Sequence, residues 1–230
     1  IKGALSELEL ARTELAEEAR KLTGHLRLNA PTLFGPQYVA PLVAEFLQRH
    51  AHLSLSLDLS DEYHDPAGSG ADVTIRIGET PDSRLVARRI GTIRRVVFAA
   101  SGYLAERGRP AHPRDLTKHE CVVRSGMVHS GRWSFYDRAG KAIDVSVTGR
   151  FDSNQVAAVN AGVAGGMGIG IAAFWQIRNW VDAGKVEILL PDYELAPLPL
   201  HAMWPKTRAL PQRTRLLVDF LSARLGNEKL

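Results

Sequence analysis

GRFDSNQVAAVNAGVAGGMGIGIAA, residues 149–173, decides how the chain is read. A short β-like run ends at Phe151. Asp152, Ser153 and Asn154 follow, residue types whose side-chain oxygens cap helix N-termini. Val156, Ala157, Val159, Ala161, Val163 and Ala164 then predict a small buried helix. Gly165 and Gly166 stop it, because glycine tolerates the left-handed conformation past a helix end. Ile169 and Ile171 start a buried strand. The unit is β–α–β with a polar mouth, and the free N–H groups of such a mouth suit an anion. An ordinary crossover in a parallel sheet explains the same pattern. Gly166, Gly168 and Gly170 come after the helix and before the strand. A nucleotide fingerprint needs the reverse order, so that reading is rejected.

Around this unit the composition is that of a globular protein. The chain has 230 residues, 45% of them hydrophobic and 23% charged, enough for two small lobes or one large one. No apolar run approaches the roughly 20 residues of a membrane span. The first twenty residues are charged throughout, with no signal-peptide core. Cys121 is the single cysteine and has no disulfide partner in the chain, which fits a reducing compartment and equally a periplasmic protein without disulfides. A net charge of +4 is too modest to argue for nucleic-acid binding by itself.

Upstream, residues 1–23 read as a helix. Leu8, Leu15 and Leu22 recur every seven residues, with Leu5, Arg12 and Ala19 as the companion row. So narrow a seam suits a partner helix, although a helix lying on its own domain is the simpler alternative. LRLNA (26–30) is a strand, Pro31-Thr32 turns it, and Gly35-Pro36 opens a helix in which Pro41 takes the first turn or forces a kink. Thr32 thus sits between strand and helix much as Ser153 does. LSLSLDL (53–59) alternates strictly and is the clearest strand. Strands follow at 73–78, 85–90 and 95–100. Their flanking Arg84, Arg88, Arg89, Arg94 and Arg95 read as a solvated face or subunit edge.

Beyond Ser101 the expected elements are a short helix at 103–107, strands near 121–124, 133–136 and 143–148, then the central unit. A helix over 174–183, a strand at 186–190, a proline-rich connection, a strand at 200–204 and a closing helix over 211–225 complete the chain. The order predicts an α/β fold with helices on the sheet faces. Breaks near 100–102 and 191–199 predict two lobes crossed twice, with ligands where strand C-termini meet.

Residue-level chemistry is sparse. The eight histidines show no HExxH pattern, so no metal site is expected. There is no GxSxG elbow and no P-loop. Cys121 precedes Val122-Val123 and reads as an apolar filler. Asp58, Asp61, Glu62 and Asp65 read as a solvated strand end. No catalytic residue and no cofactor are expected.

Several runs occur in an order that resembles one family. They are LRLNAPTLFG, VAPLVAEFLQRH, LSLSLDLSD, GADVTIRIG, DSRLVARRIG, VFAASGYLAERGRPAHPRDLTKHECV, GRFDSNQVAAVNAGVAGGMGIGI, LLPDY and RTRLLVDFL. Together they resemble the C-terminal effector-binding domain of a LysR-type transcriptional regulator, across residues 24–225. Residues 1–23 resemble the end of that family's linker helix. The resemblance implies an α/β, two-lobed periplasmic-binding-protein-like (type 2) fold, two Rossmann-like subdomains joined by two crossover segments. Subdomain I would be 24–100 plus 200–230, and subdomain II 101–199.

It also implies a function. A small-molecule effector, with carboxylates among the candidates, would bind in the interlobe cleft of a cytoplasmic bacterial regulator. DNA would be contacted through a winged helix-turn-helix outside this chain. Carried over by position, the ligand-binding residues would be Thr32, Leu33, Ser60, Arg76 and Ile77, with Ala99 and Ala100 at the crossing and Ser125, Ser153, Asn154 and Phe174 from the second lobe. Thr32 and Ser153 would present hydroxyls to an anion; Arg76 would add charge, or else face solvent or an ion pair. A homodimer or homotetramer is implied, with residues 36–49 and 53–59 packed on the partner's helix near 174–183. The alternative on the same scaffold is an extracytoplasmic solute-binding protein of a transporter; an enzyme is a third possibility.

Overall fold

The computed structural model describes residues 22–61, 70–79, 85–126, 131–206, 210–226 and 228. The helix expected over 1–23 lies outside the described residues except for Leu22 and Thr23. The chain forms two compact units. The first runs to Ile90 and resumes at Leu200; the second is Gly91–Pro199. Residues 91–100, expected with the first lobe, therefore group with the second.

In the first unit, β1 (Gly24–Ala30) pairs in parallel with β2 (Leu53–Leu59), from Gly24 opposite Leu53 to Ala30 opposite Leu59. β3 (Val73–Ile77) joins β1 on its other side, also in parallel. The sheet continues through β13 (Leu198–Pro205) to β4 (Leu85–Ile93), giving the order β2-β1-β3-β13-β4. Leu26, Leu28 and Ala30 are fully buried while His25 and Arg27 alternate outward, the period of two that a covered sheet face requires. Between β1 and β2 runs α1 (Ala40–Arg49), entered through a π-helical turn over Gly35–Val39 in which the Ala40 N–H bonds the Gly35 carbonyl. The expected effect of Pro41 takes this form. Proline has no N–H to give Gln37, and its ring crowds that carbonyl, so the turn before it widens. α5 (Gln212–Leu225) lies beside α1, with the Phe46 and Phe220 rings 5.5 Å apart.

The second unit is organised on β5 (Arg95–Ala100). β5 pairs antiparallel with both β10 (Ile169–Ala173) and β11 (Val186–Leu189). Both its faces are buried. Val97 and Ala99 enter one apolar cluster with Leu104, Cys121, Trp133 and Phe135. Val96 and Phe98 enter another with Val159, Val163 and Ile177. α2 (Ser101–Arg107) follows β5 directly. β6 (Val122–Arg124) pairs in parallel with β9 (Phe151–Ser153), and a parallel bridge joins Cys121 to Ile169 of β10. α3 (Val156–Ala164) carries the chain from β9 to β10, so the predicted crossover forms with β6 between its strands. β7 (Arg132–Tyr136) and β8 (Ala142–Ser146) form a hairpin extended by β12 (Glu194–Leu195). α4 (Phe174–Asp182) precedes β11.

The glycines after α3 serve close approach. Gly168 adopts φ +148°, and a Cβ there would lie 2.3 Å from the Glu120 carbonyl oxygen. A Cβ on Gly170 would meet Val163 at 2.5 Å. The left-handed residue is Gly166, at φ +86°, whereas Gly165 has φ −81°.

Phe98→Ala should destabilise the chain by about 3–5 kcal/mol in urea titration, since the cavity opens in a two-faced core. Val86→Thr, at a strand position 37% exposed, should stay within about 0.5 kcal/mol of the wild type.

Candidate functional site: two strand-to-helix mouths

Each unit carries a polar mouth where parallel strands end and a helix begins, the usual ligand position in open α/β sheets. In the first unit, the Ser60 N–H bonds the Ala30 carbonyl at 3.0 Å and extends the β1–β2 ladder past Leu59. This register brings Asp61 to Thr32. The Asp61 carboxylate accepts the Thr32 N–H at 3.1 Å and the Thr32 hydroxyl at 2.5 Å. The Arg76 guanidinium donates to the Asp61 carbonyl at 3.3 Å. Thr32, Ser60 and Arg76 are thus brought together, all half-buried, with Leu33 and Ile77 half-buried alongside in sequence. Two expectations change. The Thr32 hydroxyl is bound by a carboxylate, and Asp61 belongs to this network instead of to a solvated acidic cluster. Glu62 and Asp65 lie outside the described residues.

In the second unit, the Ser125 N–H bonds the Ser153 carbonyl at 3.0 Å, continuing the β6–β9 ladder by one step. Ser153 Oγ accepts the Gln155 N–H at 3.1 Å, a local turn, and makes no bond to the helix. α3 begins only at Val156, after Gln155 in extended conformation, and no side chain caps it. The expected cap by Asp152, Ser153 or Asn154 is therefore replaced by an uncapped N-terminus with Ser153 beside it. Arg124, the last residue of β6, has a buried Nε with no hydrogen-bond partner. A buried donor without a partner is uncommon and calls for an explanation.

Ala99 and Ala100 do not join this mouth. β5 runs antiparallel to β10, so Ala99 faces Ile169 while Arg95 faces Ala173. Ala99 is therefore four residues, about 13 Å of strand, from the end that meets Phe174. Ala99 is also fully buried in the core. The residue that does reach Phe174 is Arg94. Its guanidinium lies 5.4 Å from the Phe174 ring centroid, and that of Arg178 lies 5.2 Å away. The neighbouring Arg95 donates Nε and Nη2 to the Ala196 carbonyl at 2.8 and 2.6 Å, and burial lowers its pKa. The basic run is therefore not a uniformly solvated face. Periodicity shows none of these three: Asp61, Arg94 and Arg124 are recognised only once the strand register is known.

Other candidate chemistry is confined. Cys121 is buried, and burial raises its thiol pKa to about 12, the reverse of an activated nucleophile. The Tyr103 hydroxyl lies 3.2 Å from His119 Nδ1, and burial lowers the histidine pKa. Among the described residues, no group of three His, Cys, Asp or Glu side chains could hold a metal ion. Among them also, no helix is long and apolar enough to cross a membrane.

A two-unit α/β chain with a polar mouth at the strand ends of each unit is of the ligand-binding class. The sequence profile of the LysR substrate binding domain matches residues 19–226, and the chain belongs to that family. An HTH-type transcriptional regulator of Xanthomonas campestris pv. campestris is 31% identical over 224 residues, covering 96% of this chain and 65% of that protein. The chain therefore spans about two-thirds of the length of this relative. CrgA, a LysR-type transcriptional regulator from Neisseria meningitidis, is similar in structure at TM-score 0.77 and 27% identity, covering 98% of this chain and 76% of that one. The isolated CrgA regulatory domain aligns at TM-score 0.76 over 89% of this chain and all of that one. The fold is the type 2 periplasmic-binding-protein-like fold of LysR regulatory domains.

In the native chain Cys121 should react with a thiol reagent at pH 8 at least tenfold more slowly than in urea-unfolded chain. Equal rates would contradict its burial and raised pKa.

Proposed function

We propose that this chain is the effector-sensing and oligomerisation region of a LysR-type DNA-binding transcriptional regulator. It works in the cytoplasm without a cofactor and without catalysing a reaction. DNA is contacted through a helix-turn-helix domain outside the chain. The residues proposed to bind a small molecule are Thr32, Leu33, Ser60, Arg76 and Ile77 at the first unit's mouth, and Ser125, Ser153, Asn154 and Phe174 at the second unit's mouth. The observation that carries this reading is the second mouth. There a buried, unpartnered Arg124 Nε belongs to the strand beside an uncapped helix N-terminus and Ser153. Free N–H groups, a hydroxyl and a cation together favour an anionic group such as a carboxylate. Membership of the family and relatives named as transcriptional regulators favour this reading over a transporter's solute-binding protein.

Oligomerisation rests on the sheet edge. β2 ends the five-stranded order, and its Leu55 and Leu57 are half-exposed while Leu59 is 41% exposed. Such an edge invites pairing unless it is covered.

A thermal-shift screen against small carboxylates, aromatic acids and amino acids tests the sensing role. A ligand at a hundred times its Kd should add about 2.7 kcal/mol of stability. That gain should fall at least tenfold in affinity terms in Ser153→Ala and Arg124→Gln. A ligand bound equally by both variants would overturn the site. Leu57→Lys should shift a sedimenting dimer to monomer with the circular dichroism unchanged; an unaltered dimer would place the interface elsewhere.

A further inference from the structure

We propose that the second unit holds a site for a short-chain monocarboxylate in the cavity beside Arg95, where β5 and β11 diverge. The site is additional to the two mouths and needs neither of them.

The cavity follows from the strand register. β11 pairs with β5 from Val186 opposite Ala100 to Leu189 opposite Val97. One step further Pro191 would face Arg95, and proline has no N–H for the ladder. The chain turns away instead. Leu190 takes φ +54°, the left-handed region that a residue other than glycine enters only at a cost. The Tyr193 N–H closes the turn on the Leu190 carbonyl at 2.9 Å. The chain returns as β12, paired with β7. Between the start of β5 and this returning segment lies a cavity of about 90 Å³. Leu190 is one of its walls, and backbone strain held in place by its surroundings gathers at ligand sites.

Its chemistry is a cation on an apolar wall. Val97, Leu189, Leu190 and Leu195 line the cavity and are buried, and Arg95 lines it half-buried. A guanidinium has five N–H donors. Arg95 gives Nε and Nη2 to the Ala196 carbonyl, which occupies one edge of its fork. The other edge, Nη1 with the second Nη2 hydrogen, makes no hydrogen bond among the described residues, and no carboxylate there pairs with it. The charge therefore meets only a neutral carbonyl. Burial lowers the Arg95 pKa, as expected of a cation short of both water and counter-charge. Charges withdrawn from water are ordinarily paired.

The other charged groups at the cavity narrow the ligand class. Arg94 sends its guanidinium to the Phe174 ring. Glu194 lines the cavity from an exposed position, so a second negative charge on the ligand meets a like charge. A single carboxylate matches the free edge of the fork with two oxygens. The leucine and valine walls take an alkyl tail. At roughly 30 Å³ for each water-sized group, the volume accepts a carboxylate with a tail of about one or two carbons. β5 and β10 separate this site from Arg124 and Ser153, which lie on β6 and β9 beyond them.

Propionate is the probe, titrated into the 230-residue chain by isothermal calorimetry, with methyl NMR on the same samples. It should bind and shift the methyl signals of Val97, Leu190 and Leu195 while leaving those of Val156 and Val159 in place. Propionamide, succinate and phosphate should bind at least about tenfold more weakly, and Arg95→Met should weaken propionate by a similar factor. Val97→Ile, which puts a methyl group into the cavity, should do the same. Ser153→Ala and Arg124→Gln should leave propionate affinity within about twofold. Melting temperatures of all variants are recorded, and the methyl shifts need no variant, so misfolding of one leaves the test intact. Propionate that moves Val156 and Val159 instead, or that keeps its affinity in a folded Arg95→Met, would overturn this site and leave the effector reading standing. Propionamide, succinate or phosphate bound as tightly as propionate would overturn the ligand class. Neither heat nor methyl shifts at millimolar propionate in the wild type would overturn the inference, whatever the wider screen finds at the mouths.

Discussion

Parallel pairing of strands is the constraint from which the other features follow. Two adjacent parallel strands cannot be joined by a tight turn; the chain must return to the starting edge through a crossover, usually helical. β1 and β2 obey this through α1, and α3 makes a crossover of the same kind from β9 to β10 past the intervening β6. Each crossover leaves strand C-termini and a helix N-terminus together at one edge. Whatever side chains fall one or two residues beyond the ladder are then aimed at the same place. Thr32, Asp61 and Ser125 occupy such positions, and Ser153 is the last paired residue of β9 beside them. The mouths are consequences of backbone topology, and their chemistry is set by a handful of residues placed by register.

Register also explains which parts of the molecule were legible in the sequence. Strands with a covered face announce themselves by alternation, and β1 and β2 lie where the period-two pattern puts them. The helices α1, α3, α4 and α5 follow apolar faces bounded by proline and glycine, and their bounds fall within a few residues of expectation. Pairing direction is another matter. Nothing in RVVFAA or IGIAA says that β5 and β10 run antiparallel, because a strand buried on both faces shows no alternation to orient it. Ala99 and Ala100, expected at the crossing, lie at the end of β5 away from Phe174. The same uncertainty hid Arg94, which only the antiparallel register carries to Phe174.

Charged residues hide their partners from the sequence for a related reason. From composition, an acidic cluster or an arginine run is most simply a solvated face, since charges rarely leave water unpaired. Asp61 and Arg95 depart from this because each has found a backbone or hydroxyl partner across a long stretch of chain. Asp61 bonds Thr32, 29 residues away, and Arg95 bonds Ala196, 101 residues away. Neither partner is visible in a local window. By contrast Arg88 with Asp219 and Arg109 with Glu187 form exposed ion pairs of the expected kind, which contribute little to stability.

The two mouths show how one backbone device takes opposite chemical roles. In the second unit the device is left as topology makes it, with donors open at the helix start and a cation in the adjoining strand. In the first, the Asp61 carboxylate accepts both the N–H and the hydroxyl of Thr32. A sensor gains from the difference. An effector can shift an equilibrium only through unequal affinity for its two states.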